Sequence, residues 1–136
     1  MNRARVGRAG ESPRASKNAP RLGRLGEFAA WLLLRLKGYR VLARRFALGA
    51  GTGAGEVDLI VRRGRTLAFV EVKARPDLDV AALAIRPEQR WRIVRAAEAF
   101  RAGHPELLHL DVRFDAILVA PGRLPRHLPG AWRADD

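Results

Sequence analysis

Two short segments read as strands and are joined through a single glycine-led pair. In Glu56 to Arg62, Val57, Leu59 and Val61 interleave with Glu56, Asp58, Ile60 and Arg62. In Thr66 to Arg75, Ala68, Val70, Val72 and Ala74 interleave with Leu67, Phe69, Glu71, Lys73 and Arg75. A side-chain period of two marks a strand. Gly64-Arg65 places glycine first in a two-residue connection, which suits a type II′ turn and makes the pair a hairpin. Arg63 then faces Thr66. Counting back along both strands sets Asp58 opposite Glu71 and Glu56 opposite Lys73, all on one face. Two carboxylates directly opposite repel each other. Apolar neighbours keep them from free solvation, so a shared proton or a cation between the oxygens is the natural remedy. Carboxylate oxygens suit Mg2+ or Mn2+.

The rest of the chain frames this hairpin. Leu22, Leu25, Ala29, Leu32 and Leu36 recur at three- and four-residue steps, which predicts a helix over Leu22 to Lys37 stopped by Gly38. Gly23 and Gly26 weaken it and suggest a close approach at that turn. Tyr39 to Leu48 reads as a strand and Gly49 to Gly55 as a loop. That loop lacks the Lys-Ser/Thr ending of a phosphate-binding P-loop. Pro87 to Arg101 reads as a second helix, with Pro87 and Glu88 in its first turn. Asp111 to Ala120 reads as a last strand. Residues 1–20, without hydrophobic period, read as a flexible basic arm. Residues 121–136, with Pro121, Pro125 and Pro129, read as an irregular tail. The expectation is one α/β domain over residues 21–120, in the order helix, three strands, helix, strand.

Composition narrows the chemistry. The chain has 136 residues and no cysteine, which excludes a disulfide scaffold, a cysteine zinc site and a thiol nucleophile. Its longest apolar run, Phe28 to Leu34, is too short to span a membrane, and a cytosolic protein is expected. The formal net charge is +12, and +7 of it falls between the tails, which suggests a polyanionic partner such as nucleic acid. Arginine dominates the basic residues, yet Lys73 stands beside the carboxylates. A compact ammonium differs from a guanidinium next to a metal and a phosphate.

Asp58 followed by Glu71-Val72-Lys73 matches the D…ExK core of the PD-(D/E)xK nuclease superfamily. The strings Gly-Glu-Val-Asp-Leu-Ile (55–60), Phe-Val-Glu-Val-Lys-Ala-Arg (69–75), Gly-Arg-Leu-Gly-Glu-Phe-Ala-Ala (23–30) and Arg-Phe-Asp-Ala-Ile (113–117) resemble the YraN family of small bacterial proteins. The resemblance implies a restriction-endonuclease-like fold similar to Holliday-junction resolvases: a mixed sheet flanked by helices. It also implies that Asp58, Glu71 and the Val72 carbonyl ligate Mg2+ or Mn2+, and that Lys73 orients or activates water. Glu27 matches a helical glutamate that completes such sites. Gln89 falls where related nucleases place a polar helical residue, although its surroundings lack a Gln-x-x-x-Tyr pattern. Related resolvases are dimers, so a homodimer is implied as well.

The function expected is metal-dependent phosphodiester hydrolysis in nucleic acid, DNA before RNA, with branched DNA a candidate substrate. The alternative is a non-catalytic nucleic-acid-binding module that keeps the fold. A protein-interaction adaptor is a third reading. Arg86, Arg90, Arg92 and Arg95 form a candidate phosphate-contacting strip on the second helix, or its wet face. Trp91, Ile93, Val94, Ala97 and Phe100 are expected in the core. Glu56 is expected to bridge to Lys73, and Glu27 has a possible partner in Arg24. His104, His109 and His127 lack metal-like spacing, and Asp115 reads as structural.

Overall fold

A computed structural model describes residues 15–47 and 55–135. The elements are α1 (Ala15–Leu36), β1 (Arg40–Ala47), β2 (Glu56–Arg63), β3 (Thr66–Ala74), α2 (Leu78–Leu83), α3 (Pro87–Ala102), a 3-10 turn (Pro105–Leu107), β4 (Asp111–Val119) and β5 (Arg126–Trp132). The five strands lie side by side in sequence order. β3 and β4 are parallel, joined by a crossover that carries α2, α3 and the turn; the other neighbours are antiparallel. The expected α/β architecture, a mixed sheet flanked by helices, is therefore present. Among the described residues no helix is long and apolar enough to cross a membrane.

The β2–β3 hairpin keeps the expected register, from Arg63↔Thr66 to Leu59↔Val70. Gly64 has φ 62° while Arg65 has no positive φ, the pattern of a II′ turn. Alternation on β3 then sorts side chains to two cores. Leu67 and Phe69 pack toward α2 and α3 with Ile93, Ala97 and Phe100. Ala68 and Val70 pack toward α1 with Ala30 and Leu34.

The face α1 buries differs from the expected one. Gly26, Ala30 and Leu34 are buried, while Leu25, Leu32 and Leu36 are exposed. From Phe28 to Leu34 the helix is apolar all round, so its period fits either stripe; close packing on the sheet selects the small residues Gly26 and Ala30. A Cβ on Gly26 would lie 3.0 Å from the Ala74 Cβ. α1 stops as expected at Gly38, whose φ is +92°. The Tyr39 N–H donates to Leu34 O at 2.9 Å and the Gly38 N–H to Arg35 O at 3.0 Å, a Schellman closure.

Four further expectations need correction. α1 begins at Ala15, inside the stretch expected to be an arm; residues 1–14 of that arm lie outside the described residues. The irregular tail of 121–136 instead holds β5, because Leu128 and Trp132 bury apolar surface against Phe114 and its core. α2 is an unexpected helix of six residues, too short to show a period, begun by Asp77, whose Oδ1 accepts the Val80 N–H at 2.9 Å. Trp91 is 53% exposed rather than in the core. The helical period turns it away once Ile93, Ala97 and Phe100 face the sheet. Of the expected Gly49 to Gly55 loop and the end of the first strand, residues 48–54 lie outside the described residues.

Candidate active site

The hairpin ladder ends at Leu59↔Val70, one step before the two carboxylates would meet. There the Asp58 side chain replaces the main chain as acceptor: the Val72 N–H donates to Asp58 Oδ2 at 2.7 Å. Glu71 follows Phe69 onto the α3 side and is only 3% exposed. Its Oε2 accepts from Gln89 Nε2 at 2.6 Å and pairs with Lys73 Nζ at 3.1 Å. Its Oε1 is buried without a donor. Gly55, Glu56, Asp58, Glu71, Val72, Lys73, Gln89 and Arg92 border a cleft of ≈ 340 Å³.

The electrostatics follow from burial. Asp58 is pushed up to about 6, first by loss of solvent and further by the charges of Glu27 and Glu56, against the hydrogen bond from Val72. Glu71 is pushed up to about 8, first by burial and then by the Asp58 charge, against the stabilising ammonium of Lys73. The two carboxyls are also hydrogen-bonding neighbours. They therefore titrate as a pair that keeps a proton near neutral pH.

Glu27 reaches this neighbourhood from α1. It does not pair with Arg24: its Oε1 accepts from Arg45 Nε at 2.9 Å and Nη2 at 2.8 Å. Arg45 is the site neighbour that sequence reasoning missed. Flanking pairs Arg44↔Leu59 and Phe46↔Val57 place it across from Asp58, and its φ of 53° departs from strand geometry. Its guanidinium is held protonated by Glu27, with Glu56 and Asp58 adding to the effect. An arginine in a strand otherwise rich in arginine carries no signal in sequence. Glu56 does not bridge to Lys73, because the ladder stops short of it and Lys73 finds the more buried Glu71 on its own strand.

The arginines of the candidate strip differ in setting. Arg86, Arg92 and Arg95 are exposed, but Arg90 is partly buried and its Nη2 donates to Ile85 O at 3.3 Å. Arg92 borders the cleft, and its carbonyl accepts the Gly55 N–H at 3.1 Å. A Cβ on Gly55 would lie 3.0 Å from the Arg92 Cβ, so this approach needs glycine.

A second polar cluster lies apart from the cleft. Asp115 is fully buried and accepts from Arg113 Nε and Nη2 at 2.8 Å each, from His127 Nε2 at 2.8 Å and from the Gly130 N–H at 3.0 Å. Lys37 Nζ lies 2.8 Å from His127 Nδ1, which assigns the imidazole proton to Nε2. Burial alone would raise the Asp115 carboxyl; His127, Arg113 and the Gly130 N–H outweigh it and hold it down at about 2. Every oxygen here is satisfied, in contrast to Glu71. His104 stacks on Phe100 with ring centroids 4.0 Å apart, and the exposed His109 offers its carbonyl to Arg65.

Among the described residues no group of three or more His, Asp or Glu gathers around a metal position. Asp58 and Glu71 nevertheless fit a hard divalent cation. They supply paired carboxylate oxygens, and Glu71 Oε1 is a buried acceptor that meets no N–H or hydroxyl donor.

The pattern of the uncharacterised protein family UPF0102 matches residues 26–119. A UPF0102 protein of Paramagnetospirillum magneticum is 57% identical over 122 residues, covering 90% of this chain and 95% of that one. One from Parvibaculum lavamentivorans is 53% identical, covering 90% and 89%, and one from Rhodopseudomonas palustris is 49% identical, covering 96% and 98%. Among solved structures, the chain is similar to Archaeoglobus fulgidus Hjc, a Holliday junction resolvase, with a TM-score of 0.49 and 18% identity over 78% of this chain and 75% of that one.

Proposed function

For a chain that belongs to the uncharacterised protein family UPF0102, we propose hydrolysis of nucleic-acid phosphodiesters, DNA before RNA, at a carboxylate-held divalent cation. One observation carries this reading: Asp58 and Glu71 are forced together in a cleft, with Lys73 on Glu71 Oε2 and no N–H or hydroxyl donor for Oε1. No fold needs such a pair for stability, since each buried charge costs solvation.

Asp58, Glu71 and the Val72 carbonyl would hold Mg2+ or Mn2+. The chemistry such an ion supplies is polarisation of the scissile phosphate and acidification of water. Gln89 fixes the Glu71 carboxyl from α3, and Lys73 places positive charge where an attacking water loses its proton and an oxyanion develops. The shared proton must leave the pair before both carboxylates can serve as ligands, so binding should release a proton. Glu27 sets the negative potential around Asp58, while Arg45 limits it. Arg92 at the cleft, with Arg95 on the same helix and Arg86 at its N-cap, would supply grip on phosphates that does not depend on sequence.

The alternative, a binding module without catalysis, draws on Glu71 Oε2 already holding two donors, Gln89 and Lys73. Cleavage separates the two. Wild type and Asp58→Ala are incubated with single-stranded, duplex and branched DNA in Mg2+ and in Mn2+. The enzyme reading expects products from wild type only. Binding of these substrates without any product, in either metal, would establish the module instead.

A further inference from the structure

We infer that Trp91 is a stacking platform for an unpaired base of a nucleic-acid strand whose backbone passes Arg92 into the cleft. The inference rests on the nucleic-acid reading above and narrows its substrate to strands with open bases.

The chain's three tryptophans occupy different settings. Trp132 is buried, its ring stacked on Phe114 at 5.7 Å between centroids. Trp31 is half-buried and stacked on Phe28 at 5.9 Å. Trp91 alone is in the open, 53% exposed on the outer side of α3, and packing does not account for it. Exposing an indole forgoes one of the larger hydrophobic gains a side chain offers.

Its surroundings state the ligand chemistry. The Arg95 Cζ lies over the Trp91 ring, 5.0 Å from its centroid, so a cation covers one face of the indole and a base takes the other. Arg95 is four residues from Trp91 and three from Arg92, which makes it a surface neighbour of both. Arg92 in turn borders the cleft that holds Asp58, Glu71 and Lys73. Arg92 and Arg95, one helical turn apart, thus lie between the cleft and the exposed indole. Guanidinium groups that follow a phosphate backbone, with an aromatic face to one side, are the elements of single-strand recognition. A base inside a duplex has both faces covered by its neighbours, whereas an unpaired base offers one to the ring.

The test measures binding without catalysis, in EDTA and low salt. Anisotropy of a labelled oligothymidylate and of a labelled duplex of equal length is followed with wild type, Trp91→Ala and Trp91→Phe. Thermal melts check that each variant is folded. The inference expects Trp91→Ala to lose about tenfold or more in single-strand affinity, with duplex affinity held within about twofold. Trp91→Phe should keep most of the single-strand affinity. The single strand should quench wild-type tryptophan emission, and that quenching should be absent in Trp91→Phe. Unchanged single-strand affinity in Trp91→Ala, or equal losses on both probes, would overturn the stacking role while leaving nucleic-acid binding in place. No binding of either probe by wild type would overturn the nucleic-acid reading and this inference with it.

Discussion

Replacing Asp115 by Asn tests how the buried cluster behind β4 and β5 is held together. Asparagine keeps the shape but gives up the charge and one acceptor oxygen, so its NH2 group must face a donor among Arg113, His127 and Gly130. The carboxyl is held at about 2 in the folded protein, against 3.8 for an ordinary aspartate. A depressed carboxyl stabilises the fold fully above its unfolded value and loses that contribution as pH falls through the folded one. That gap corresponds to about 2 kcal/mol at neutral pH. Asparagine imitates the protonated acid, so Asp115→Asn should cost about 2 kcal/mol. Asp115→Ala, which also strands the Arg113 charge, should cost roughly 3–5 kcal/mol. For a chain of this size the milder change should lower Tm by roughly 5–10 °C. Thermal melts of wild type and Asp115→Asn at pH 7 and near pH 2 provide the measurement. The gap should open at pH 7 and narrow in acid, where the wild-type carboxyl is about half protonated and little of its contribution remains. Equal Tm values at pH 7, or a gap that ignores pH, would refute the assignment of charge to Asp115.

Glu71 has the opposite sign. Its raised carboxyl stabilises the fold below the ordinary glutamate range and loses that contribution as pH rises through about 8. Metal-free Glu71→Gln should therefore melt above wild type at pH 9 and approach it near pH 5, as read by calorimetry. Gly26→Leu should lower stability by about 1–3 kcal/mol in urea titration, because even a Cβ at that position meets Ala74 at 3.0 Å and α1 must lift from the sheet. Gln89→Leu removes the 2.6 Å bond to Glu71 Oε2 and should weaken Mn2+ binding by about tenfold while leaving Tm within a few degrees.

Much of the site was legible in the sequence because a hairpin with a two-residue turn has a countable register. Gly64-Arg65 fixes the pairing of Leu59 with Val70, and from there Asp58 and Glu71 fall together by counting. The Val72 N–H bond to Asp58 was not countable, since it forms where the ladder fails. Helix faces were less legible. α1 has apolar residues on nearly every side, so period alone could not tell Ala30 and Leu34 from Leu32 and Leu36. The decision lies in the close approach at Gly26. β5 escaped because Pro129 and Gly130 hide a strand whose reward, Trp132 against Phe114, comes from across the sheet. Arg45 and His127 act through partners far away in the chain, Glu27 and Asp115. No local pattern announces such pairs.

The central claim is that Asp58 and Glu71 form a cation site. Calorimetric titration of Mn2+ into wild type and Asp58→Asn at neutral pH, repeated in two buffers of different ionisation enthalpy, tests it most directly. Wild type should bind with release of the shared proton, and Asp58→Asn should lose both. Absence of binding by wild type, or binding that survives Asp58→Asn unchanged, would contradict it.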